Sequence, residues 1–312
     1  MRAVGLMVQG GPDVLQIVDV PETHAGPGEV RLCVSAATVN PTDVMARNGS
    51  RAEQQKLDPP PYIPGMDAAG IVDEVGEGVT TGVKVGDRVM AMVCPNASHG
   101  AYREQIVLNA RAVVPAPAGT THVQAATLPM NGLTARQSLD LLGLSSGQVL
   151  AVTGAAGAYG GYVIQLAKAD GLTVIADASE ADEELVASLG ADIVVRRGDD
   201  VAKRIREHFP DGVDGLADGA VQCEPVIPAV RDGGVFTAVR GFLGAPQRDI
   251  TFTATSVRNY DGEFEKLDKL RQQTEAGVLT LRVADTYPAA QVSEAHRRLE
   301  AGGTRGRLVL EF

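Results

Sequence analysis

A glycine-rich turn is the stretch of this sequence whose residue types and spacing point most directly to chemistry. Residues 151–168 read AVTGAAGAYGGYVIQLAK, in which an apolar run meets three glycines and then passes into a helix-like pattern. Glycines let a backbone approach a pyrophosphate, and the N-terminus of the following helix offers it unpaired N–H groups. Because a strand precedes the turn and a helix follows it, the spacing predicts a dinucleotide site rather than an unliganded turn. The residues predicted to line it are Gly154, Ala155, Ala156, Gly157, Ala158, Tyr159 and Gly160.

The end of the next predicted strand bears on which dinucleotide binds. Asp177 lies there, 23 residues after Gly154 (177 − 154), where an acid can accept hydrogen bonds from the ribose hydroxyls of NAD and would repel a 2′-phosphate. Arginines that could pair with that phosphate stand elsewhere, after the third strand and near the C-terminus. The residues by themselves favour NAD slightly and leave NADP open. The set predicted to contact the adenosine end is Asp177, Ser179, Arg197 and Arg305.

The chain that must position these residues has two regions with different residue patterns. The first 120 residues carry short apolar runs between Gly, Pro and Asp turn signals, which predicts a β-rich region. From residue 121 a proline-broken helical stretch leads into alternating strand and helix patterns, typical of βαβ units around a parallel sheet. The predicted strands are 149–153, 173–177, 192–195, 213–218 and 234–239, and the predicted helices are 160–170, 181–189, 200–209 and 222–231. Helices over 262–277 and 293–302 and a terminal strand over 306–312 follow.

Composition excludes several classes of partner. A formal net charge of −11 over 312 residues indicates an acidic surface, which repels nucleic acid and anionic membranes. Three scattered cysteines without CxxC spacing predict neither a disulfide framework nor a cysteine-rich zinc site. The N-terminal stretch does not have the order of a signal peptide, and no apolar run approaches the roughly 18 residues of a membrane span. We therefore expect a soluble, cytoplasmic protein with no nucleic-acid or membrane partner.

Several motifs, in one order, resemble a known family along almost the whole chain. The chain resembles the medium-chain dehydrogenase/reductase superfamily, and within it the zinc-free quinone oxidoreductase branch that includes zeta-crystallin. The matching stretches are VNPTDVMARNG (39–49), PYIPGMDAAGIVDEVGEGV (61–79), GDRVMA (86–91), AATLPMNGLTA (125–135), the glycine turn and TRGRLVLEF (304–312). The resemblance implies an α/β protein with two domains. A β-rich GroES-like catalytic domain would span 1–121 and be completed by 258–312, and a Rossmann cofactor domain with a parallel doubly wound sheet would span 122–257.

The resemblance also implies that no metal is bound. Zinc-dependent alcohol dehydrogenases of this superfamily hold a catalytic zinc with Cys, His and Cys, and the matching positions here are Asn40, Met66 and the neighbourhood of Thr127. Catalytic zinc needs three good N, O or S ligands, which these residues do not supply. Without a metal to polarise an alcohol, the chemistry implied is hydride delivery from a reduced nicotinamide to a quinone or an α,β-unsaturated carbonyl.

The resemblance assigns candidate catalytic roles outside the glycine turn. Asn40 and Asp43 would flank the nicotinamide and substrate, with Asn40 donating to a substrate carbonyl; NPTD also forms an Asx turn, and a structural role is favoured for Asp43. Tyr62, in the proline-rich loop, would cover the pocket or donate a proton, or else pack on the prolines. Asn131 and Thr134 match positions close to the nicotinamide, with helix capping as the alternative.

These expectations combine into an NAD(P)H-dependent reductase of quinones or enones. The family favours NADPH, whereas Asp177 and the acidic run EADEE (180–184) favour NADH. An enoyl-thioester reductase is an alternative, weakened by Ser50 where related enzymes carry a tyrosine thought to donate the proton. A cofactor-binding sensor or structural protein with little turnover is another. A homodimer joined through edge strands is also implied, and 249–257 has the composition of such a strand or of an internal one.

Overall fold

The computed structural model describes residues 1–50 and 59–312. Contacts divide the chain into two compact units. The first comprises Met1–Met130, Asp261–Glu275 and Leu281–Phe312, and the second comprises Asn131–Tyr260 and Ala276–Thr280. The division therefore falls after Met130, so that residues 122–130, which the resemblance placed in the cofactor domain, belong to the first unit.

The described residues form β-strands and α-helices throughout both units. The strands are β1 (Arg2–Gly5), β2 (Gln16–Asp19), β3 (Glu29–Val39), β4 (Asp67–Val75), β5 (Arg88–Met92), β6 (Gln105–Asn109), β7 (Val113–Pro115), β8 (Val149–Thr153), β9 (Thr173–Ala178), β10 (Ile193–Arg196), β11 (Val213–Asp218), β12 (Val230–Ala238), β13 (Thr251–Ala254), β14 (Val283–Pro288) and β15 (Arg307–Glu311). The α-helices are α1 (Pro41–Arg47), α2 (His122–Ala125), α3 (Pro129–Leu142), α4 (Ala158–Ala169), α5 (Glu183–Ser188), α6 (Val201–His208), α7 (Phe264–Glu275) and α8 (Val292–Glu300).

The first unit is built on a largely antiparallel sheet. Its strand order is β14-β15-β3-β4-β5-β7, with β6 also paired to β3. Strand β3 alternates buried and half-buried residues, which directs Val30, Leu32 and Val34 into the core. The predicted terminal strand returns to this sheet as β15, antiparallel to β3 with Leu308 opposite Val39. Strand β14 was not predicted, because it lies at the sheet edge and its residues are mostly exposed, so it carries little apolar pattern.

The second unit is a doubly wound parallel sheet, as expected. Its six strands follow the order β10-β9-β8-β11-β12-β13, and every neighbouring pair is parallel. The order reverses between β8 and β11, which is the topological switch point where such folds bind dinucleotides. Strands β8 and β9 are buried apart from their first residues, which explains the continuous apolar runs in the sequence.

The conformation of two segments of this unit could be assigned only from the structure. The helix predicted over 222–231 is wrong: a short 3-10 segment, Glu224–Ala229, stands there, because Pro225 and Pro228 cannot donate the hydrogen bonds of an α-helix. The stretch 249–257 forms β13, which lies at the sheet edge rather than inside it. Among the helices described, none combines the length and apolar character needed to cross a membrane.

Candidate functional site

The glycine turn joins the carboxyl end of β8 to helix α4. Gly154 directly follows β8 with a φ of +67°, a left-handed conformation that favours glycine. Gly157 is the N-cap of α4, and its N–H donates to the carbonyl of Gly154 at 3.0 Å. Gly157 brings no capping side chain to a helix start whose first N–H groups have no intrahelical acceptors. This is the arrangement that binds a phosphate at a helix N-terminus.

Each glycine of the turn answers a different requirement. A Cβ at Gly154 would lie 2.9 Å from the amide nitrogen of Ala220, and one at Gly160 would lie 2.4 Å from the carbonyl oxygen of Gly154. A Cβ at Gly157 would meet only that same oxygen, at 3.1 Å. Gly154 and Gly160 therefore permit close packing inside the protein. Gly157 leaves room on its outer side, which fits the close approach of a pyrophosphate.

Asp177, near the end of β9, anchors this turn. Its carboxylate accepts a hydrogen bond from the N–H of Ala155 at 3.2 Å, and the residue is 4% exposed. Burial raises the pKa of Asp177, against the backbone N–H groups of Ala155 and Gly154 and the charge of Arg197, which favour the carboxylate. One carboxylate oxygen of Asp177, the residue predicted to bind the ribose hydroxyls, therefore already accepts a hydrogen bond from the protein backbone.

The other residues predicted at the adenosine end fall into both units. Ser179 follows β9, and its hydroxyl donates to the carboxylate of Asp182. Arg197 follows β10, the parallel neighbour of β9. Ser179 and Arg197 thus lie with Asp177 at the carboxyl ends of adjacent strands. Arg305 belongs to the first unit, where it precedes β15.

The loop after β11 completes the second unit's side of the switch point. Val221 and Cys223 have φ values of 57° and 63°, left-handed conformations that are strained for side chains of these types. Asp218 fixes this loop by accepting from the N–H of Cys223 at 2.8 Å and from the hydroxyl of Thr153 at 2.6 Å. Such strain persists where the surroundings enforce it and is concentrated at functional sites.

Asn131 and Thr134 lie in the first and second turns of α3, and Tyr159 lies in the first turn of α4. Asn131 and Thr134 lie inside α3, which begins at Pro129, so neither serves as its N-cap. The hydroxyl of Ser138 donates to the carbonyl of Thr134 at 3.0 Å and lies 2.7 Å from the Tyr159 hydroxyl. Ser138 therefore links two predicted residues, and sequence reasoning missed it because a buried serine in a helix leaves no distinctive pattern.

Asn40, just before α1, is fully buried in a polar cluster of the first unit. Its amide nitrogen donates to Asp67 at 3.1 Å and to the carbonyl of Thr38 at 3.3 Å, and its amide oxygen accepts from Arg307. Both amide hydrogens and the amide oxygen are thus used within the protein. The predicted donation from Asn40 to a substrate carbonyl is not supported by this geometry, because no hydrogen is left for it.

Arg307, the first residue of β15, is the cation that sequence reasoning missed. It is 4% exposed, and its Nη2 donates to Thr38 Oγ1 at 2.6 Å and to Asp67 Oδ2 at 3.2 Å. The N–H of Met130 donates to the other oxygen of Asp67 at 2.6 Å. The available signal was an arginine at the head of the apolar stretch RLVLEF, since a buried arginine requires a buried acid.

Asp43, in the first turn of α1, has protein partners on both carboxylate oxygens. Oδ1 accepts from the N–H of Gly65 at 2.9 Å, and Oδ2 accepts from the N–H of Asn40 at 2.8 Å and from the hydroxyl of Tyr102 at 3.1 Å. Burial raises the pKa of Asp43 to about 6 despite these donors. Both carboxylate oxygens of Asp43 are thus bonded within the protein, and its role stays a prediction.

The positions that match the zinc ligands of alcohol dehydrogenases are occupied by other chemistry. The sulfur of the buried Met66 accepts from the hydroxyl of Thr42 at 2.9 Å, and the hydroxyl of Thr127 donates to the carbonyl of Gln124 at 2.7 Å. Across residues 1–50 and 59–312, no three His, Cys, Asp or Glu side chains are grouped to hold a metal ion. A thioether, a hydroxyl and an amide bound to arginine do not form a catalytic zinc site.

Tyr62 is attached to the N-terminal segment of the first unit. Its N–H donates to the carbonyl of Leu6 at 2.9 Å, and its carbonyl accepts from the N–H of Leu6 at 3.0 Å. The half-buried side chain packs against the hydrophobic core of that unit. The contacts account for its packing, and its role as a pocket cover or proton donor stays a prediction.

Two family models match the chain. Residues 26–118 match the model described as the alcohol dehydrogenase GroES-like domain, and residues 189–310 match the model described as zinc-binding dehydrogenase. Together they reach into both compact units.

Curated relatives match nearly the whole chain. A 2-methylene-furan-3-one reductase of Solanum lycopersicum is 32% identical over 99% of this chain and 79% of its own. A chloroplastic NADPH-dependent alkenal/one oxidoreductase of Arabidopsis thaliana is 32% identical over 96% of this chain and 77% of its own.

Solved structures extend the similarity to the fold. The quinone oxidoreductase from Coxiella burnetii has a TM-score of 0.88 and 27% identity, covering 100% of this chain and 99% of that one. A mycobacterial protein complexed with NADPH has a TM-score of 0.86 and 28% identity, with both chains covered completely.

Proposed function

The chain belongs to the medium-chain dehydrogenase/reductase superfamily, in its zinc-free quinone oxidoreductase-like branch, and from this premise we propose that it reduces quinones or α,β-unsaturated carbonyls with NAD(P)H. The observation that carries the proposal is a dinucleotide turn in a protein whose metal-ligand positions hold Asn40, Met66 and Thr127. Such a protein would bind a dinucleotide without metal donors at those three positions to polarise an alcohol, so its acceptor must need little activation. Quinones and enones meet this requirement.

The second unit is proposed as the cofactor domain and the first as the catalytic domain. The start of α4 and Gly157 would hold the pyrophosphate, Asp177, Ser179 and Arg197 the adenosine end, and Tyr159 and Thr134 the nicotinamide end. When bound, the reduced nicotinamide supplies the hydride, while the protein supplies alignment and a dry pocket.

The catalytic candidates that keep a role at the substrate are Tyr62 and Asn131. Asn40 and Asp43 are proposed to hold the start of α1 in place, because their polar atoms are bonded within the protein. The proton that follows the hydride would come from solvent or from Tyr62.

NADPH is the proposed cofactor, with NADH as the alternative. The Arabidopsis relative is named for NADPH, and the mycobacterial neighbour binds it. Asp177 supports NADH, because a carboxylate repels a 2′-phosphate. Its bond to Ala155 and the nearby charge of Arg197 weaken that repulsion, so we infer that Asp177 chiefly anchors the turn.

The test is oxidation of NADPH and of NADH by the purified protein, each with a panel of quinones and enones. Turnover is expected with both acceptor classes. Cofactor binding without turnover on any acceptor would favour the sensor or structural alternative, and turnover on enoyl thioesters alone would favour the thioester reductase.

The matched variant for cofactor choice is Asp177→Asn. The asparagine amide oxygen can still accept from the N–H of Ala155, whereas the negative charge is removed. We therefore expect the ratio of kcat/KM for NADPH to that for NADH to rise about tenfold, equivalent to ~1.4 kcal/mol. An unchanged ratio would show that Asp177 does not face the 2′ position.

We also propose that the protein is a homodimer joined through β13. That strand lies at the edge of the sheet, where unpaired backbone groups need a partner or protection.

A further inference from the structure

Four hydroxyl groups form a continuous chain inside the second unit. The Tyr159 hydroxyl lies 2.7 Å from Ser138 Oγ, which lies 2.8 Å from Thr255 Oγ1, which in turn lies 3.1 Å from Thr237 Oγ1. Ser138 and Thr237 are completely buried and Thr255 is 8% exposed. Hydroxyls are costly to bury unless they are hydrogen-bonded, so this chain is a built feature of the unit.

The direction of the hydrogen bonds in the chain follows from counting hydrogens. Ser138 donates its one hydroxyl hydrogen to the carbonyl of Thr134 at 3.0 Å. Its oxygen must therefore accept from both Tyr159 and Thr255, which uses both lone pairs. Thr255 then accepts from Thr237. The Ser138 hydroxyl thus has three fixed partners and cannot turn without breaking one of these bonds. The Tyr159 hydroxyl, which donates to it, is therefore held in one position.

The ring of Tyr159 lies on the backbone of the loop that follows β11. A Cβ at Gly219 would be 2.7 Å from Tyr159 Cδ1 and 2.9 Å from Cε1, so the ring contacts this glycine closely. Tyr159 is nevertheless only partly buried. Gly219 directly follows β11, at the carboxyl end of the crevice between β8 and β11. A dinucleotide bound to the glycine turn must extend along this crevice.

We propose that Ser138 and Thr255 are positioning residues, which hold the Tyr159 ring as a fixed surface for the nicotinamide end of the bound dinucleotide. The inference rests on the proposed function, because it requires a nicotinamide cofactor at this turn. Neither residue touches the cofactor in this scheme. They act through Tyr159, whose own hydroxyl is used to fix the ring and donates no proton to substrate.

Four variants separate this role from simple packing. Tyr159→Phe keeps the ring and removes its bond to Ser138. Ser138→Ala removes the centre of the chain. Thr255→Val removes a hydroxyl at equal volume, whereas Thr255→Ser keeps the hydroxyl. Tyr260→Phe serves as the control. It also removes a tyrosine hydroxyl, but this hydroxyl donates to Asp140 at 2.5 Å and is not one of the four linked hydroxyls.

We expect Tyr159→Phe and Ser138→Ala to lower kcat about five- to tenfold with little change in KM for the cofactor, since one neutral hydrogen bond is lost. Thr255→Val should lower kcat about twofold to threefold, and Thr255→Ser and Tyr260→Phe should match the wild type. The double variant Tyr159→Phe with Ser138→Ala should be no worse than Ser138→Ala alone, because both remove the same bond.

A second readout needs no turnover. The circular dichroism of the bound reduced nicotinamide reports the asymmetry of its surroundings, and binding is titrated through nicotinamide fluorescence, which no tryptophan obscures in this chain. The dichroic band should change in Tyr159→Phe, Ser138→Ala and Thr255→Val, with dissociation constants near the wild type.

The outcomes distinguish failure of the positioning role from failure of the proposed function. If the wild type binds a nicotinamide cofactor and Tyr159→Phe and Thr255→Val leave kcat and the dichroic band unchanged while lowering the melting temperature, the chain is only structural and the inference is overturned. If the wild type binds no nicotinamide cofactor, the proposed function fails and this inference fails with it.

Discussion

Asp67 and Arg307 lie in one buried polar cluster, in which both carboxylate oxygens of Asp67 accept hydrogen bonds. Nη1 of Arg307 has no acceptor among the described residues. At the scale of single residues, this cluster holds the Asn40 amide, which is bonded to both Arg307 and Asp67. Arg307 is the charged partner of the buried Asp67. Its removal leaves an acid buried with only neutral donors.

We therefore predict that Arg307→Met lowers the free energy of unfolding by about 3–5 kcal/mol, because Asp67 loses its charged partner. Arg307→Lys should cost less, since one ammonium offers three hydrogens to the three acceptors that Nη2 now serves. Urea unfolding of the three proteins measures both effects. Equal stability of Arg307→Met and the wild type would show that the ion pair contributes nothing net.

The buried His296 predicts a pH dependence. Burial, aided by the charge of Arg47, lowers the pKa of His296 from 6.5 to about 3. Below pH 6.5 the unfolded chain binds this proton and the folded protein does not, so stability is lost as the pH falls toward 3. Asp43, linked through Tyr102, acts in the opposite sense, because its folded pKa of about 6 exceeds the unfolded 3.8.

His296→Leu isolates the first effect, because Asp43 is present in both proteins and cancels in the difference. We expect the wild type to lose stability relative to the variant by up to about 1.4 kcal/mol per pH unit between pH 6 and 4. Denaturant midpoints measured across that range provide the test. A difference that is constant with pH would contradict the prediction.

At the scale of elements, the glycine turn combines two demands within seven residues. Gly154 and Gly160 allow β8, α4 and the loop after β11 to approach one another, while Gly157 serves the ligand side. The sequence pattern shows three glycines but does not indicate which of them are required for close packing.

Two substitutions separate these demands. Gly160→Ala should destabilise the protein by about 1–3 kcal/mol, because its Cβ would meet backbone atoms at 2.4 and 2.7 Å that cannot move aside. Gly157→Ala should cost less than about 1 kcal/mol and weaken cofactor binding by about tenfold or more, since the methyl enters the phosphate's space. Unfolding curves and cofactor titrations measure both. Wild-type affinity in Gly157→Ala would place the phosphate elsewhere.

At the scale of the whole molecule, β13 is the element through which a second copy could extend the parallel sheet. The N–H of Thr255 donates to the carbonyl of Ala238 in β12. The N–H groups of successive strand residues point to opposite sides of the strand, so the N–H of Ala254 points to the unpaired edge. A symmetric dimer would use that edge in both copies.

We predict that Ala254→Pro yields a monomer of 32.5 kDa, whereas the wild type and Ala254→Val have twice that mass by light scattering. Proline removes an edge N–H and leaves the pairing to β12 intact. A dimer that survives Ala254→Pro would place the interface on another surface.

Local features of the fold could be predicted because they are written along the chain. The strand–turn–helix order around 149–169, the alternation of βαβ units and the residue types at the positions that match zinc ligands depend on residue types and short periods, which a single sequence displays. Proline explains the failed helix at 222–231, and exposure explains the unpredicted β14.

The partners of buried polar groups were decided only by the tertiary structure. Arg307 meets Asp67 across 240 residues, and Ser138 meets Thr255 across 117. No local pattern encodes such pairs, because a buried polar group must be satisfied by whichever segment the fold brings beside it. The sequence therefore determined the strand–glycine turn–helix order and the presence of Asn40, Met66 and Thr127 at the positions that match zinc ligands. The tertiary structure decided that Asn40 is committed to Arg307 and Asp67, and that Tyr159 is held by a chain of hydroxyls.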